Sequence, residues 1–129
     1  MSETGVEAKI DTLRRLQATM AAKDKKAFLE FFAPDVVYHY HVGSRPLVGR
    51  EWVSKFVDKY WRDNSGARWE MTTHVETGNK LLTEGWEEYV NASGHAVRHD
   101  YMGIIEFDDA GKITGWRDYF QLSDPNATG

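Results

Sequence analysis

The chain has 129 residues and a formal net charge of −4, with 41% hydrophobic and 28% charged side chains. This size and composition predict one domain with a core large enough to enclose a small pocket, and they exclude a disordered segment. The charges are spread along the chain without a basic block, which argues against a nucleic-acid partner.

The sequence also lacks the patterns of a targeting or membrane segment. No apolar run approaches the ~20 residues needed to cross a bilayer, and the first residues do not have the charged and apolar regions of a signal peptide. We therefore expect a cytoplasmic protein without a membrane partner. Cysteine is absent, which excludes a disulfide framework and a cysteine nucleophile.

Two helices are predicted at the start of the chain. Between Val6 and Met20, apolar residues recur every three or four positions, which is the one-sided stripe of an amphipathic helix. Asp24 offers an N-cap for a second, short helix that extends to Phe32. This helix is expected to end before Pro34, because a residue that precedes proline avoids helical geometry.

A strand and a third helix follow. Residues 36–42 are β-branched and aromatic, which predicts a strand, and the polar segment 43–46 predicts a turn. Residues 52–60 again carry apolar side chains at helical spacing. The first half of the chain is therefore expected to be mainly helical, with one early strand.

The second half of the chain changes to the two-residue period of strands. Four runs are separated by short segments of turn-forming residues, which predicts antiparallel hairpins. The runs are 69–77, 81–91, 96–107 and 112–122. Helices followed by such a meander predict a single α+β domain over residues 1–129, with the helices covering one face of the sheet.

The last run carries the first candidate for catalysis. Alternation places Asp118 on the same face as Trp116 and Phe120, and it places Ile113 on the opposite face. A carboxyl group among rings must be paired, hydrogen-bonded or raised in pKa, and each of these makes it a candidate acid or base. The alternative is a structural Asp that bonds to the backbone or to a tyrosine hydroxyl.

Two neighbouring runs add further candidates. On the second run, Glu87 and Tyr89 share one face, and either this face or its alternate could point inward. On the third run, His99 and Tyr101 share a face with several apolar residues, which makes His99 a pocket candidate. A hydrogen-bonded core histidine is the competing interpretation.

The early strand contributes two tyrosines and two histidines. Tyr38 and Tyr40 are predicted on one face, whereas His39 and His41 are predicted to face away. Two histidines at this spacing could begin a metal site, but the sequence indicates no third ligand, so no metal is expected. His74 is an ambiguous candidate for substrate binding, because its immediate neighbours form the more apolar set.

The order of these elements, and above all the Trp-Arg-Asp-Tyr-Phe run at 116–120, resembles the nuclear transport factor 2-like, or SnoaL-like, superfamily. Within it, the chain most resembles the limonene-1,2-epoxide hydrolases, and the general resemblance covers nearly the whole sequence. The resemblance implies a cone of curved antiparallel sheet, closed by N-terminal helices around one deep apolar pocket. It also implies a dimer packed through the outer face of the sheet.

The hydrolase pattern implies roles for several candidates. Asp118 stands at the position of the base that activates water, and Tyr38 matches an assisting tyrosine, but Tyr40 stands where the family has asparagine. Glu87 stands at the position of the acid toward the epoxide oxygen, and Gly85 stands where an arginine bridges the two carboxylates. Without that cation, one of the two carboxyl groups is expected to keep its proton near neutral pH. The pattern indicates a protonated Glu87 beside an ionised Asp118.

Together these features predict a cofactor-independent acid–base enzyme that acts on a small hydrophobic molecule, with epoxide hydrolysis as the first choice. The predicted catalytic residues are Asp118, Glu87, Tyr38, Tyr40 and His99, and the predicted substrate-binding residues are Tyr101, Tyr89, Trp116, Phe120 and His74. One alternative is cyclisation, isomerisation or dehydration of a ketone or polyketide, because Asp118 beside His99 is similar to the SnoaL-like cyclases. Another is a non-catalytic ligand-binding or association module.

The outer face of the predicted sheet also carries apolar side chains. Trp86, Val90, Ile104 and Tyr119 are expected there, although each could equally pack under a helix. A contiguous apolar face of this kind is typical of an association surface. We therefore expect a homodimer.

Overall fold

The computed structural model describes residues 7–120, in which three helices pack against a curved six-stranded sheet. The elements in chain order are α1 (Lys9–Ala22), α2 (Lys25–Leu29), β1 (Phe32–His39), β2 (Leu47–Val48), α3 (Arg50–Asp63), β3 (Ser65–Thr77), β4 (Lys80–Val90), β5 (Ala96–Phe107) and β6 (Ile113–Tyr119). The predicted α+β class is confirmed. Within residues 7–120, no helix is long and apolar enough to cross a membrane.

The strand order in the sheet is β2-β1-β6-β5-β4-β3. Strands β3 to β6 form the predicted antiparallel meander. Strand β1, however, pairs in parallel with β6, with Tyr38 opposite Trp116, so the sheet is mixed and not wholly antiparallel. Two neighbouring parallel strands need a long connection between them, and here the connection from β1 to β6 contains α3 and the other strands of the meander. The short strand β2, which was not predicted, pairs antiparallel with β1.

The second helix is shorter than its sequence pattern predicts. Asp24 caps it as expected, because its carboxylate accepts the backbone N–H of Ala27 at 3.2 Å. The helix ends at Leu29, however, and Phe32 already belongs to β1, opposite Ile113 of β6. Pro34 is tolerated inside β1 because the pairing with β6 is interrupted there, so the missing N–H breaks no ladder bond.

The helices cover the inner face of the sheet and form the hydrophobic core with it. Leu13 and Leu16 of α1 and Val53 and Val57 of α3 are almost fully buried, together with inward residues of the strands such as Ile105. Burying each such side chain stabilises the fold by about 1.5–3 kcal/mol. The predicted helical stripes are therefore confirmed at these positions, whereas Trp52 of the α3 stripe is exposed and Val6 of the first stripe lies outside the described residues.

A bulge in β6 overturns one prediction about which side chains face inward. Phe107 lies opposite Ile113, but Glu106 lies opposite Gly115, so β6 has one extra residue at this point. Ile113 and Trp116 therefore both point into the core, although alternation placed them on opposite faces. After the bulge the predicted alternation holds as far as Tyr119.

The outer face of the sheet is partly polar. The ring of Trp86 on β4 lies beneath two guanidinium groups, those of Arg68 and Arg98, at 5.4 and 4.2 Å from its centroid. Both arginines also pair with Glu88. Tyr119 on the same sheet is exposed. The expected homodimer through this face stays a prediction.

Candidate active site

A cavity of about 350 Å³ lies between the helices and the inner face of the sheet. Most of its wall is aromatic: Phe28, Tyr38, Tyr40, Phe56, Tyr60, Trp69, Tyr89, Tyr101, Trp116 and Phe120. The other lining side chains that can ionise are Asp118, Glu87, His41 and His99. The cavity thus brings together all of the predicted site residues except His74.

Asp118 lies in the wall of this cavity near the end of β6. Its Oδ1 accepts a 2.9 Å hydrogen bond from the indole N–H of Trp116, two residues earlier on the same face of the strand. Burial, reinforced by the negative charge of Glu87, raises the pKa of Asp118 to about 8 against the lowering effect of the Trp116 bond. Asp118 is therefore mainly a carboxylic acid at neutral pH.

A glycine on the neighbouring strand makes room for this carboxyl group. Gly103 of β5 lies directly opposite Asp118, and a Cβ on Gly103 would lie 2.6 Å from Oδ1. The same Cβ would lie 3.2 Å from the hydroxyl oxygen of Thr83. Because real Cβ atoms do not approach polar atoms so closely, any larger residue at position 103 would displace the carboxyl group.

The second carboxyl group, Glu87, lies between side chains of two different elements. The phenol of Tyr60 on α3 donates to Oε2 at 2.8 Å. The Nε2 atom of His99 on β5 lies 3.2 Å from Oε1. The ring of His99 is itself fixed by parallel stacking on Phe120, with centroids 4.1 Å apart. The Tyr60 bond and the adjacent His99 ring restrict the rotation of Glu87.

His99 retains one unused polar atom. Its side chain is 5% exposed, and among the described residues its Nδ1 has no hydrogen-bond partner. A buried ring nitrogen without a partner is energetically costly and is typically explained by function or by an ordered water. The prediction that His99 lies at the pocket is thus supported by position, and its role in catalysis stays a prediction.

The pKa values of two tyrosine hydroxyls in the cavity are raised by burial and by both carboxyl groups. Burial first, then the charges of Asp118 and Glu87, raises the pKa of Tyr38 well above its usual value. Burial raises the pKa of Tyr101 to about 12, and its hydroxyl oxygen accepts the indole N–H of Trp69. These phenols therefore stay protonated at neutral pH, and each keeps an O–H group that can donate a hydrogen bond to a ligand.

The environment of Asp118 raises the pKa of the carboxyl group that the sequence pattern indicates as ionised. That pattern indicates a protonated Glu87 beside an ionised Asp118. Burial among rings, reinforced by the charge of Glu87 and opposed by the single indole donor Trp116, raises the pKa of Asp118, so Asp118 keeps its proton at neutral pH. Three-dimensional neighbours, and not residue identity, set this pKa.

The position expected for a bridging arginine cannot carry any side chain. A Cβ on Gly85 would lie 1.9 Å from the backbone carbonyl oxygen of Glu70 on β3 and 3.1 Å from the ring of Tyr101. The bulge of β3 between Met71 and Thr73 lies beside this glycine. The absence of the arginine is therefore built into the backbone and is not a simple substitution.

Two histidine predictions are corrected by the structure. His41 was expected to face away from the pocket, but β1 ends at His39, so alternation no longer applies. His41 instead lines the cavity, with Nε2 3.0 Å from the carbonyl oxygen of Phe120. His74, a predicted substrate-binding residue, is exposed and does not line the cavity, because it lies opposite Thr83 of β4, further along the edge strand β3 than the cavity-lining Trp69.

Two aromatic residues of α3 were missed as site residues. Phe56 and Tyr60 were assigned only to the apolar stripe of a core helix, yet both line the cavity. Phe56 stacks on Tyr40 with centroids 4.8 Å apart. A tyrosine within an otherwise apolar stripe was the available signal, because a buried hydroxyl usually needs a polar partner.

In residues 7–120, no group of three His, Asp or Glu side chains is arranged so that it could hold a metal ion.

Comparisons with known proteins agree with this architecture. A family profile described as "SnoaL-like domain" matches residues 13–116. Among solved structures, a Mycobacterium tuberculosis LEH-like epoxide hydrolase superposes with a TM-score of 0.76 at 23% identity, covering 88% of this chain and 82% of that one. An NTF2-like protein of unknown function from Burkholderia pseudomallei K96243 superposes with a TM-score of 0.79 at 17% identity, covering 90% and 92%. At these identities the solved structures establish the fold alone.

Proposed function

The chain belongs to the SnoaL-like domain family, and we propose that it is a cofactor-independent acid–base enzyme whose substrate is a small hydrophobic molecule. The observation that carries this proposal is the pair of carboxyl groups, Asp118 and Glu87, in one cavity lined mainly by rings. An apolar carrier would gain nothing from burying these two groups, because their desolvation costs free energy. Groups with environments as different as these are suited to act as acid and base.

The first reaction that we propose is the hydrolysis of an epoxide. The carboxylic acid of Asp118 donates its proton to the epoxide oxygen as a carbon–oxygen bond breaks. The Glu87 carboxylate accepts a proton from the water whose oxygen attacks the carbon, and the product is a diol. Exchange with solvent then returns one proton to Asp118 and removes one from Glu87, so the catalyst is regenerated.

A second candidate is proton transfer at a carbon next to a carbonyl group. In this reaction Asp118 donates a hydrogen bond to the carbonyl oxygen while Glu87 removes the carbon-bound proton. The protonated state of Asp118 supports this candidate, because a neutral carboxylic acid can donate a hydrogen bond to the oxygen of a developing enolate. Isomerases, cyclases and dehydratases all use such a step.

Both reactions can be tested with one set of proteins. Purified wild type is incubated with cyclic and aryl epoxides, with diol formation measured by mass spectrometry, and with cyclic ketones in D₂O, with deuterium uptake measured by NMR. We expect one panel to show turnover that Glu87→Gln lowers by about 10²-fold or more. Glu88→Gln is the matched control, since Glu88 is the next residue of β4 and pairs with Arg68 and Arg98 on the outer face. Ligand binding without turnover in either panel would favour a binding module.

A further inference from the structure

The cavity combines negative charge with a lack of permanent positive charge. Among the described residues that line it, two carry carboxyl groups, Asp118 and Glu87, and none is Lys or Arg. The neighbouring cations of β3 and β5, Arg68 and Arg98, bond to Glu88 at 3.1 and 3.3 Å on the other face of the sheet. They are therefore not available to neutralise a charge inside the cavity.

The charge of Glu87 acts on the whole cavity. Burial is the main cause that raises the pKa of five groups around it, and the charge of Glu87 adds to the effect of burial in each: Tyr38, Tyr60, Tyr89, Tyr101 and Asp118, from β1, α3, β4, β5 and β6. Interactions of this reach are typical of a charge in a medium of low dielectric constant. The imidazole of His99, at 3.2 Å, compensates Glu87 only when it is protonated.

The aromatic wall of the cavity also favours a positively charged ligand. Ring faces carry negative partial charge, and cations bind to Trp and Tyr rings most strongly when water is excluded. Tyr38, Tyr60 and Trp69 all line the same cavity as Glu87. Gly85, two residues before Glu87, admits no side chain that could place a cation there.

We propose that this cavity binds small, mostly apolar monocations, alkylammonium or arylammonium ions, in preference to neutral and anionic molecules of the same shape, with the Glu87 carboxylate as the counter-ion. The proposal goes beyond the acid–base reaction, because it concerns the class of ligand and is decided by binding alone. It shares with the proposed function only the position of Glu87 in the cavity. A failure of one therefore does not imply a failure of the other.

The test compares three molecules of nearly equal shape: benzylamine, which is protonated at neutral pH, benzyl alcohol and benzoate. Binding is measured near neutral pH and at low salt by calorimetry with the complete chain. We expect the amine to bind at least about tenfold more tightly than the alcohol, and benzoate to bind more weakly than both. Glu87→Gln should remove most of the preference for the amine, whereas Glu88→Gln should preserve it.

Three results would each overturn the proposal: equal affinity for the amine and the alcohol, no binding of the amine, or an undiminished preference for the amine in folded Glu87→Gln.

A second measurement uses only the wild type and does not depend on how variants fold. A bound cation should lower the pKa of Asp118, which faces Glu87, Tyr38 and Tyr101, and so release part of a proton. Calorimetry in two buffers of different ionisation enthalpy should show this release with benzylamine and not with benzyl alcohol. Equal release with both would count against the proposal.

Discussion

The indole N–H of Trp116 donates a 2.9 Å hydrogen bond to Oδ1 of Asp118, two positions further along β6. The bond fixes the orientation of the carboxyl group and favours its ionised form, but burial has the larger effect and raises its pKa to about 8. Asp118 is thus an oriented acid whose proton is exchangeable close to neutral pH, which is the property that general catalysis needs.

Replacing Asp118 with asparagine should abolish most of the activity. The carboxamide introduced by Asp118→Asn can still accept the Trp116 bond, but it cannot transfer a proton. We expect kcat/KM to fall by about 10²- to 10⁴-fold, measured with whichever substrate the two panels identify. Asp100→Asn is the control, because Asp100 is exposed on β5 and should tolerate the same change without loss of activity.

The pH dependence of the wild type distinguishes the two possible roles of Asp118. If Asp118 acts as the acid, kcat/KM should fall as the pH rises through about 8, because its proton is then lost. A pH series of initial rates measures this. A rate that instead rises through the same pH would identify Asp118 as the base, the role implied by the resemblance to epoxide hydrolases.

The buried carboxyl group of Asp118 should make the folded protein less stable at neutral pH than at acidic pH. Its pKa is raised from 3.8 to about 8, so at low pH both folded and unfolded states hold the proton. As the pH rises through about 4, the unfolded chain releases its proton while the folded chain retains it, so the free energy of unfolding falls until about pH 8. Asp118→Asn should therefore be more stable than wild type near pH 8, by an amount on the order of 2 to 4 kcal/mol. Urea unfolding near pH 4 and near pH 8 tests this, and equal differences at both would contradict it.

Gly85→Ala should severely destabilise the protein. Its Cβ would meet the backbone carbonyl oxygen of Glu70 at 1.9 Å, and a strand backbone cannot move aside without breaking the β3–β4 pairing. We expect a loss of more than about 3 kcal/mol in urea unfolding. Gly115→Ala is the comparison, because its Cβ would meet only the flexible carboxylate of Glu106, at 2.8 Å. Similar losses for both variants would be inconsistent with this explanation.

Gly103→Ala should damage activity more than stability. Its Cβ would lie 2.6 Å from Oδ1 of Asp118, and the side chain can turn away, which breaks the bond from Trp116. We expect kcat/KM to fall by about tenfold or more, since small displacements of a catalytic group have large effects. Gly115→Ala serves again as the control, because it also displaces a carboxylate but on the outer face, and it should retain activity.

Local sequence patterns predicted much of the fold correctly. The apolar stripes of α1 and α3 and the turn residues between the strands of the meander are set by neighbours a few positions apart, so they can be read without tertiary contacts. The exceptions occur where distant pairing overrides local preference. Phe32 follows a helical stripe but joins β1 because Ile113 is its partner.

For the candidate site, alternation along the strands was sufficient to place Asp118 on the same face as Trp116 in β6, and His99 on the same face as Tyr101 in β5. It was sufficient because the two-residue period of side chains depends only on the strand being regular. Bulges and strand ends break that period, so only the tertiary structure decided that Ile113 points inward and that His41 reaches the cavity. The extent of the cavity along the sheet is likewise a tertiary property, and it leaves His74 outside. Tertiary packing also decided that Asp118 keeps its proton. The raised pKa depends on burial and on the nearby charge of Glu87, whereas sequence spacing carries no information about the dielectric environment of a side chain.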